Sequence, residues 1–393
     1  MQPDLLIIGA GVVGLSLADC ALRNGLSVCV LDRGEPGREA SWAGAGMLTC
    51  RPRLRAAHGG VDYHDLTTLS VRLHAEWSAR FKADLGIDTG YRVCGAAELI
   101  RAEETADHDY AGCTSDTEAD PESIADVEAL IQGCNGRGVV ARRLSAEETR
   151  RREPALSAKD LAGSIEFPNE AQIRNPWLLR ALVANVQRLG GTIRSGCEIA
   201  DIALNREGTR AAGVTLRNDE VISGGKVAVC SGAWTAQLPS LVKAAPRCGK
   251  IAPVRGQILC FQAEPDFLSR LITDGNHYIV PRGDGVVLVG ATHEQAGFEK
   301  AVTEDGLAEL LNFTRATVAG LAERKLIQHW AGLRPGLKGR HPILGPVPGI
   351  SGLYVSAGHY RNGLTLAPAC AELLVSAILK IKSDIPIGGW SPA

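Results

Sequence analysis

Gly9, Gly11 and Gly14 stand at G-x-G-x-x-G spacing directly after the apolar run Leu5–Ile8. A second apolar run, Val28–Leu31, ends in Asp32. Together these residues suit one kind of chemistry, holding the diphosphate and ribose of a dinucleotide in a βαβ unit. Gly9 permits the tight strand-to-helix turn, and Gly11 lets a pyrophosphate approach the backbone. Gly14 lets the helix pack closely on the sheet. The N-terminus of that helix offers free N–H groups and the positive end of its dipole. Asp32 is placed to accept hydrogen bonds from both ribose hydroxyls.

Three segments of the second half carry a different set of reactive types. They are Asn276-His277-Tyr278-Ile279-Val280-Pro281-Arg282, His329-Trp330-Ala331-Gly332-Leu333-Arg334-Pro335-Gly336 and Gly358-His359-Tyr360-Arg361-Asn362-Gly363-Leu364-Thr365. Read singly, each has an ordinary explanation. Tyr278 fits a core tyrosine in an alternating strand. Arg334 fits a turn residue before Pro335-Gly336, and Arg361 a phosphate or structural ligand.

The elements that must position these residues follow from periodicity. After the βαβ unit, the stretch from Glu39 to Met47 has six Ala, Gly or Ser among its nine residues, which lets backbone approach a flat ring or a phosphate. Residues 67 to 86 form an amphipathic helix with Leu69, Leu73, Trp77, Phe81 and Leu85 on one face. Tyr91 to Arg101 alternates as a strand. Residues 103 to 137 are acidic and polar, a loop followed by a surface helix from Pro121 to Gln132. Ser145 and Glu148 stand at capping-box spacing. Asn175-Pro176 opens a helix that Gly190-Gly191 stops. Strands are expected over Thr192–Ile202, Val214–Leu216 and Lys226–Cys230. The small-residue turn Ser231–Trp234, with Gly232, sits where open α/β sheets place ligands. Ile251–Phe261, His277–Pro281 and Val286–Val289 read as strands, the last two as a hairpin around Arg282-Gly283-Asp284-Gly285. A helix over 303–321, a strand over Leu353–Ser356 and a helix from Pro368 to Ile381 complete the chain.

That order predicts an α/β protein with a Rossmann-like dinucleotide-binding domain and an inserted, mostly antiparallel β substrate domain. The first would comprise 1–85, 145–245 and 328–393, and the second 86–144 and 246–327.

Composition excludes several classes. A net charge of -2 gives no electrostatic case for nucleic acid or an anionic membrane. Eleven scattered cysteines without a C-x-x-C pair argue against a disulfide framework or a zinc site, and point to a reducing compartment. The nine histidines show no metal-ligand spacing, so no metal is expected. The N-terminal segment lacks a basic n-region, carries Asp4 and Asp19, and is too short to cross a bilayer. With no other stretch read as long and apolar enough, a cytoplasmic protein without a transmembrane segment is expected.

Taken jointly, the βαβ unit, the Ser41-Trp42-Ala43-Gly44 loop and the H-Y-I-V-P-R, W-A-G-L-R-P-G and G-H-Y-R-N-G segments resemble the D-amino-acid oxidase superfamily of flavoproteins. Within it they are most similar to the glycine oxidases of thiamine biosynthesis, over nearly the whole chain apart from the acidic region near 103–140. The resemblance implies FAD-dependent oxidation of a small amino acid, by hydride transfer from Cα to flavin N5. O₂ would be the acceptor, and glyoxylate, ammonia and H₂O₂ the products from glycine. It implies substrate roles for Tyr278, Arg334 and Arg361. FAD contacts fall on Val12, Val13, Asp32, Arg33, Ala40, Ser41, Ala45, Gly46 and Met47, on the adenine side near Glu198, and along His359, Tyr360, Arg361, Asn362, Gly363, Leu364 and Thr365. A homotetramer is among its implications. Thr365 replaces an aliphatic residue of the pattern, so the polarity beside the flavin is expected to differ, and Asn276-His277 is a variable pair at the pocket entrance. No cysteine lies between Arg334 and Gly345, where related oxidases attach FAD covalently, so non-covalent FAD is expected. Two alternatives stay open: a D-amino-acid dehydrogenase passing electrons to a quinone, and a non-catalytic flavin-bearing subunit of an amine-oxidising complex.

Overall fold

The computed structural model describes residues 2–51, 63–102, 124–337 and 341–392. Leu5–Ile8 is apolar at every position because both faces of the strand are covered, and all four residues are buried. It pairs in parallel with Val28–Leu31 on one side and Lys226–Val229 on the other. These three lie at the centre of a six-stranded sheet whose order runs Ile343–Pro346, Leu353–Ala357, Lys226–Val229, Leu5–Ile8, Val28–Leu31, Thr192–Arg194. Only the edge strand Ile343–Pro346 is antiparallel.

Helix Val12–Arg23 covers one face together with Tyr63–Leu85, Asn175–Arg188 and Gly363–Leu379. The predicted stripe on the long helix is real: Leu73, Trp77 and Phe81 are buried in this core. The helix begins at Tyr63, earlier than its periodicity indicated.

A second, eight-stranded sheet runs Lys325–Gly336, Ala252–Gln262, Val286–Gly290, His277–Pro281, Leu271–Asp274, Ala96–Arg101, Leu161–Phe167, Arg142–Ser145. All its pairings are antiparallel except Leu271–Asp274 with Ala96–Arg101. The architecture is therefore the expected α/β one, a parallel dinucleotide-type layer beside a mostly antiparallel sheet. The boundaries differ from expectation. Strands Arg142–Ser145, Leu161–Phe167 and Lys325–Gly336 all belong to the second sheet, so the divisions set at 145 and 328 fall inside it. Strand partnership is non-local, and composition along the chain does not carry it.

Other local readings are corrected by the backbone. Ser145 and Glu148 do form the capping box. Thr192–Ile202 is two strands in two sheets, parted by a turn at Gly196 with φ +73°. Tyr91–Arg101 breaks at Gly95, φ +69°, into Arg92–Val93 and Ala96–Arg101. The 303–321 helix breaks at Val318 into Glu304–Thr317 and Ala319–Ala322. Part of the small-residue loop is one helical turn, Ala40–Ala43, followed by the short strand Met47–Leu48. The surface helix spans Ile124–Asn135, and its expected start at Pro121 lies outside the described residues. The last helix starts at Gly363, not at Pro368, which lies inside it. The stretch Tyr360–Leu379 is long and apolar enough to cross a membrane by length and composition, which corrects the reading that none is. It packs in the first core, against Val12–Arg23 and Tyr63–Leu85.

Candidate active site

One long cleft runs between the two sheets, and the predicted residues converge on it. Gly9, Gly11, Val12, Val13, Asp32, Arg33, Ala40, Ser41, Ala45, Gly46, Met47, Glu198, Gly232, Tyr278, Arg334 and the whole run His359–Thr365 line it. Gly14 does not. A Cβ at Gly14 would fall 1.9 Å from the Gly9 carbonyl oxygen, so its role is the close packing of helix on strand.

The dinucleotide end is built from backbone. Gly9 has φ +101°, and a Cβ there would sit 2.5 Å from the Cys230 carbonyl oxygen. The following helix has no cap from its own Ncap residue, Gly11. Instead the Ser41 hydroxyl, from the Ala40–Ala43 turn, accepts the Val12 N–H at 2.9 Å. That leaves the Ser41 hydroxyl proton free to donate to a phosphate oxygen. Asp32 accepts from the Ala10 N–H at 2.7 Å and the Gly34 N–H at 2.9 Å, which fixes the carboxylate at the strand end. The Arg33 guanidinium lies 3.6 Å over the Trp234 ring and pairs with Glu39 at 3.0 Å.

The middle of the cleft is a shelf without bulky side chains. Gly46 has φ +73°, and a Cβ there would meet the Ile173 carbonyl oxygen at 1.9 Å. Asn175 supports the shelf by donating to the Ser41 carbonyl at 2.8 Å. Arg282 donates to the Ala45 carbonyl at 2.7 Å and the Ile173 carbonyl at 3.1 Å, tying the second sheet to the shelf. Trp330 does the same from Lys325–Gly336, donating to the Ala43 carbonyl at 3.0 Å. Opposite lies the start of helix Gly363–Leu379, so two helix N-termini face one cleft. The Thr365 hydroxyl donates to the Met47 carbonyl at 3.2 Å. The polar atom expected to alter the surroundings of the ring is thus satisfied by backbone. His359 is buried, and that burial pushes its imidazole down to about 4.

The third end carries charge. Tyr278 stands on His277–Pro281, and Arg334 on Lys325–Gly336. Arg334 Nη1 donates to the Thr292 carbonyl at 3.1 Å and the Arg255 carbonyl at 3.3 Å, and the guanidinium interacts electrostatically with the Tyr278 side chain. Burial holds Tyr278 above the usual phenol range and Arg334 below the usual guanidinium range. Arg361 donates to Asn276 Oδ1 at 3.1 Å and contacts His293 Nδ1 at 3.4 Å, while the Tyr360 hydroxyl meets the same nitrogen at 2.7 Å. The acids that line the cleft, Asp32, Glu39 and Glu198, belong to its dinucleotide end. Among the described residues, the third end thus presents cationic and hydroxyl donors without a carboxylate, an arrangement suited to an anion. Asn276 and His277 both line the cleft, and His277 is anchored there: its Nε2 bonds Glu309 at 2.9 Å and its ring stacks on Phe313, both on helix Glu304–Thr317.

This layout fits a dinucleotide with a flat ring system between a diphosphate cradle and an anion-binding end. A family model described as FAD dependent oxidoreductase (DAO) matches residues 4–377. The chain belongs to that family. It is an oxidoreductase, and its cofactor is FAD. Among curated relatives, the chain is 32% identical over 394 residues to a glycine oxidase of Pseudomonas aeruginosa, covering 100% of this chain and 99% of that protein. It is 30% identical over 393 residues to a bifunctional ThiO/ThiG protein of Trichormus variabilis, covering 98% of this chain and 54% of that protein. A crystal structure of glycine oxidase from Geobacillus kaustophilus superposes with a TM-score of 0.86 at 26% identity, covering 100% of this chain and 99% of that one.

Several members of the FAD-family cleft gave no sequence signal of function. Asn175 read as a helix opener, and its side chain supports the Ser41 loop. Gly256 lies under the Arg334 guanidinium and was one residue in a strand. Arg282, outside the lining itself, sits in sequence at a hairpin turn and supports the cleft by bonding the Ala45 and Ile173 carbonyls.

Proposed function

We propose that the chain is a glycine oxidase. It would hold FAD non-covalently, with Gly9, Gly11 and Ser41 at the diphosphate, Asp32 at the ribose, and Ala45–Met47 and His359–Thr365 along the ring. FAD, when bound, would supply the hydride acceptor, with O₂ as the terminal oxidant. Arg334 grips the α-carboxylate through its fork, Tyr278 donates its hydroxyl to the same group, and Arg361 closes the mouth. Holding the carboxylate fixes Cα against the ring face, which is the main task left to the protein. Among the described residues no carboxylate lines this end to stabilise an ammonium group, so the substrate amine would react as the free base, its lone pair driving C=N formation. Water then releases glyoxylate and ammonia, and H₂O₂ forms from O₂. Sarcosine and small D-amino acids fall within the same substrate class.

The observation that carries this reading is the buried Arg334 guanidinium beside Tyr278, at an end of an FAD-family cleft that no carboxylate lines among the described residues. The names of the glycine oxidase relatives support the substrate, and the ThiO/ThiG relative supports a place in thiamine biosynthesis. A homotetramer is part of this reading through the family resemblance, and the outer strand Lys325–Gly336 exposes Leu326 and Ile327, which self-association would cover. Sedimentation of the holoenzyme tests that part. Anaerobic mixing of the yellow holoenzyme with glycine, then air, tests the reaction. Bleaching followed by fast recovery with H₂O₂ release is expected. Slow recovery in air, with fast recovery on adding a quinone, would replace the oxidase with a dehydrogenase. No bleaching by any small amino acid would leave a non-catalytic flavin subunit.

A further inference from the structure

Helix Gly363–Leu379 carries Pro368 in its sixth position, where a proline removes a main-chain donor. The carbonyl left without its helical partner is that of Leu364, four residues earlier. Leu364 and Thr365 line the cleft, so this gap lies in the turn that faces the cofactor. The long helix Tyr63–Leu85 fills it. His74 Nε2 lies 3.0 Å from the Leu364 carbonyl oxygen, and the ring also interacts with the Thr365 backbone. One helical turn earlier, Ser70 Oγ accepts the Ala369 N–H at 3.2 Å. Both side chains are buried, Ser70 at 0% and His74 at 1% exposure.

A carbonyl only accepts, so His74 carries its proton on Nε2. Its Nδ1 is then a buried acceptor, and it has no hydrogen-bond partner among the described residues. An apolar residue at 74 would avoid that orphan but leave the Leu364 carbonyl unpaired. Rotation of that carbonyl would move the peptide joining Leu364 to Thr365, both at the cleft wall.

We propose that His74 and Ser70 are positioning residues for the flavin. They replace the main-chain bonding that Pro368 disrupts, and so fix the Gly363–Thr365 turn against the ring. The inference rests on the family's FAD cleft, and on glycine oxidation only for its kinetic consequence.

The test compares His74→Leu, His74→Gln and Ser70→Ala holoenzymes with the wild type. FAD dissociation constant, flavin midpoint potential, the visible flavin spectrum and melting temperature are measured. A buried carbonyl without a donor corresponds to about tenfold in an equilibrium constant. His74→Leu is therefore expected to weaken FAD binding about tenfold and to shift both potential and spectrum. His74→Gln, which keeps an N–H donor, is expected within about threefold of wild type. Ser70→Ala is expected to weaken FAD about threefold with a smaller shift of the potential. A His74→Leu enzyme with lowered melting temperature but wild-type potential, spectrum and FAD affinity would overturn the proposal, as would a His74→Gln enzyme as impaired as His74→Leu. If His74→Leu does not fold, an unchanged Ser70→Ala enzyme overturns it. None of these readouts needs a substrate, so failure of wild-type bleaching by glycine would sink the oxidase reading and leave this comparison standing.

Discussion

The guanidinium of Arg334 lies across Gly256 of the neighbouring strand, where a Cβ would fall 2.1 Å from Nη2 and 2.3 Å from Cζ. Arg334 pairs with Val254 in the ladder, and Gly256 pairs with Gly332, so the side chain crosses the sheet diagonally to reach its place beside Tyr278. Gly256→Ala must therefore push the fork out of register without touching its charge. We expect kcat/KM for glycine to fall about 30-fold, mostly through KM, with FAD content unchanged. Arg334→Leu should cost more, about 10³-fold, because it removes the charge as well. Steady-state kinetics on both holoenzymes check this. An unimpaired Gly256→Ala enzyme would show that the observed Arg334 pose is not the one used.

Ser41→Ala removes the acceptor of the Val12 N–H at the phosphate-binding helix. Loss of such a cap costs about 0.5–2 kcal/mol, or roughly 3- to 30-fold in an equilibrium constant. That loss should appear in FAD affinity, since Ser41 lines the same turn. Titration of apoprotein with FAD, followed by flavin fluorescence, gives the number. Ser41→Thr keeps the oxygen and should stay nearer to wild type.

These two sites show what the sequence made legible. The glycine turn and Asp32 are local: a strand, a turn and a helix in fixed order leave little freedom, and the backbone follows the reading. Ser41 was flagged by its small neighbours, yet its bond to Val12 joins residues 29 apart in the chain and needs the fold. Gly256 under Arg334 depends on strand pairing, and strand pairing was the part the chain order did not reveal. The C-terminal helix shows a different failure. The sequence reading starts this helix at Pro368, and a proline is well tolerated in a first turn. Here a side chain from another helix supplies the missing donor, so the helix begins five residues sooner and brings Gly363–Thr365 to the cleft.

His74 and His359 give the enzyme an acid limit. Burial holds both near 4 in the folded state, against 6.5 for an unburied imidazole. Above pH 6.5 both states are neutral and neither residue affects stability. Between 6.5 and about 4 the unfolded chain binds protons that the folded chain does not. Stability is therefore lost as pH falls through this window, by up to about a decade in the unfolding equilibrium per pH unit for each histidine. Below about 4 these two contribute no further slope. Since both stand at the flavin turn, FAD release should accelerate over the same range. Melting curves from pH 8 to 4 test it, and His74→Gln should flatten part of the slope. A slope in wild type that begins only below pH 4.5 would mean that carboxylates alone set the limit.

Arg361 closes the cleft by a neutral contact, its Nη1 on Asn276 Oδ1 at 3.1 Å, with His293 and Tyr360 beside it. No carboxylate fixes it among the described residues, so its place over the substrate depends on that amide. Asn276→Ala removes the acceptor and leaves the charge free to move toward solvent. The carboxylate grip proposed for Arg334 and Tyr278 remains. We therefore expect KM for glycine to rise about three- to tenfold while kcat changes less than twofold. Arg361→Leu removes the charge itself and should raise KM further, in a way that added salt does not reproduce, because the group acts inside the cleft. Steady-state kinetics at two ionic strengths separate these cases. If Asn276→Ala lowered kcat and left KM unchanged, the amide would be acting on the reacting centre rather than holding the mouth closed.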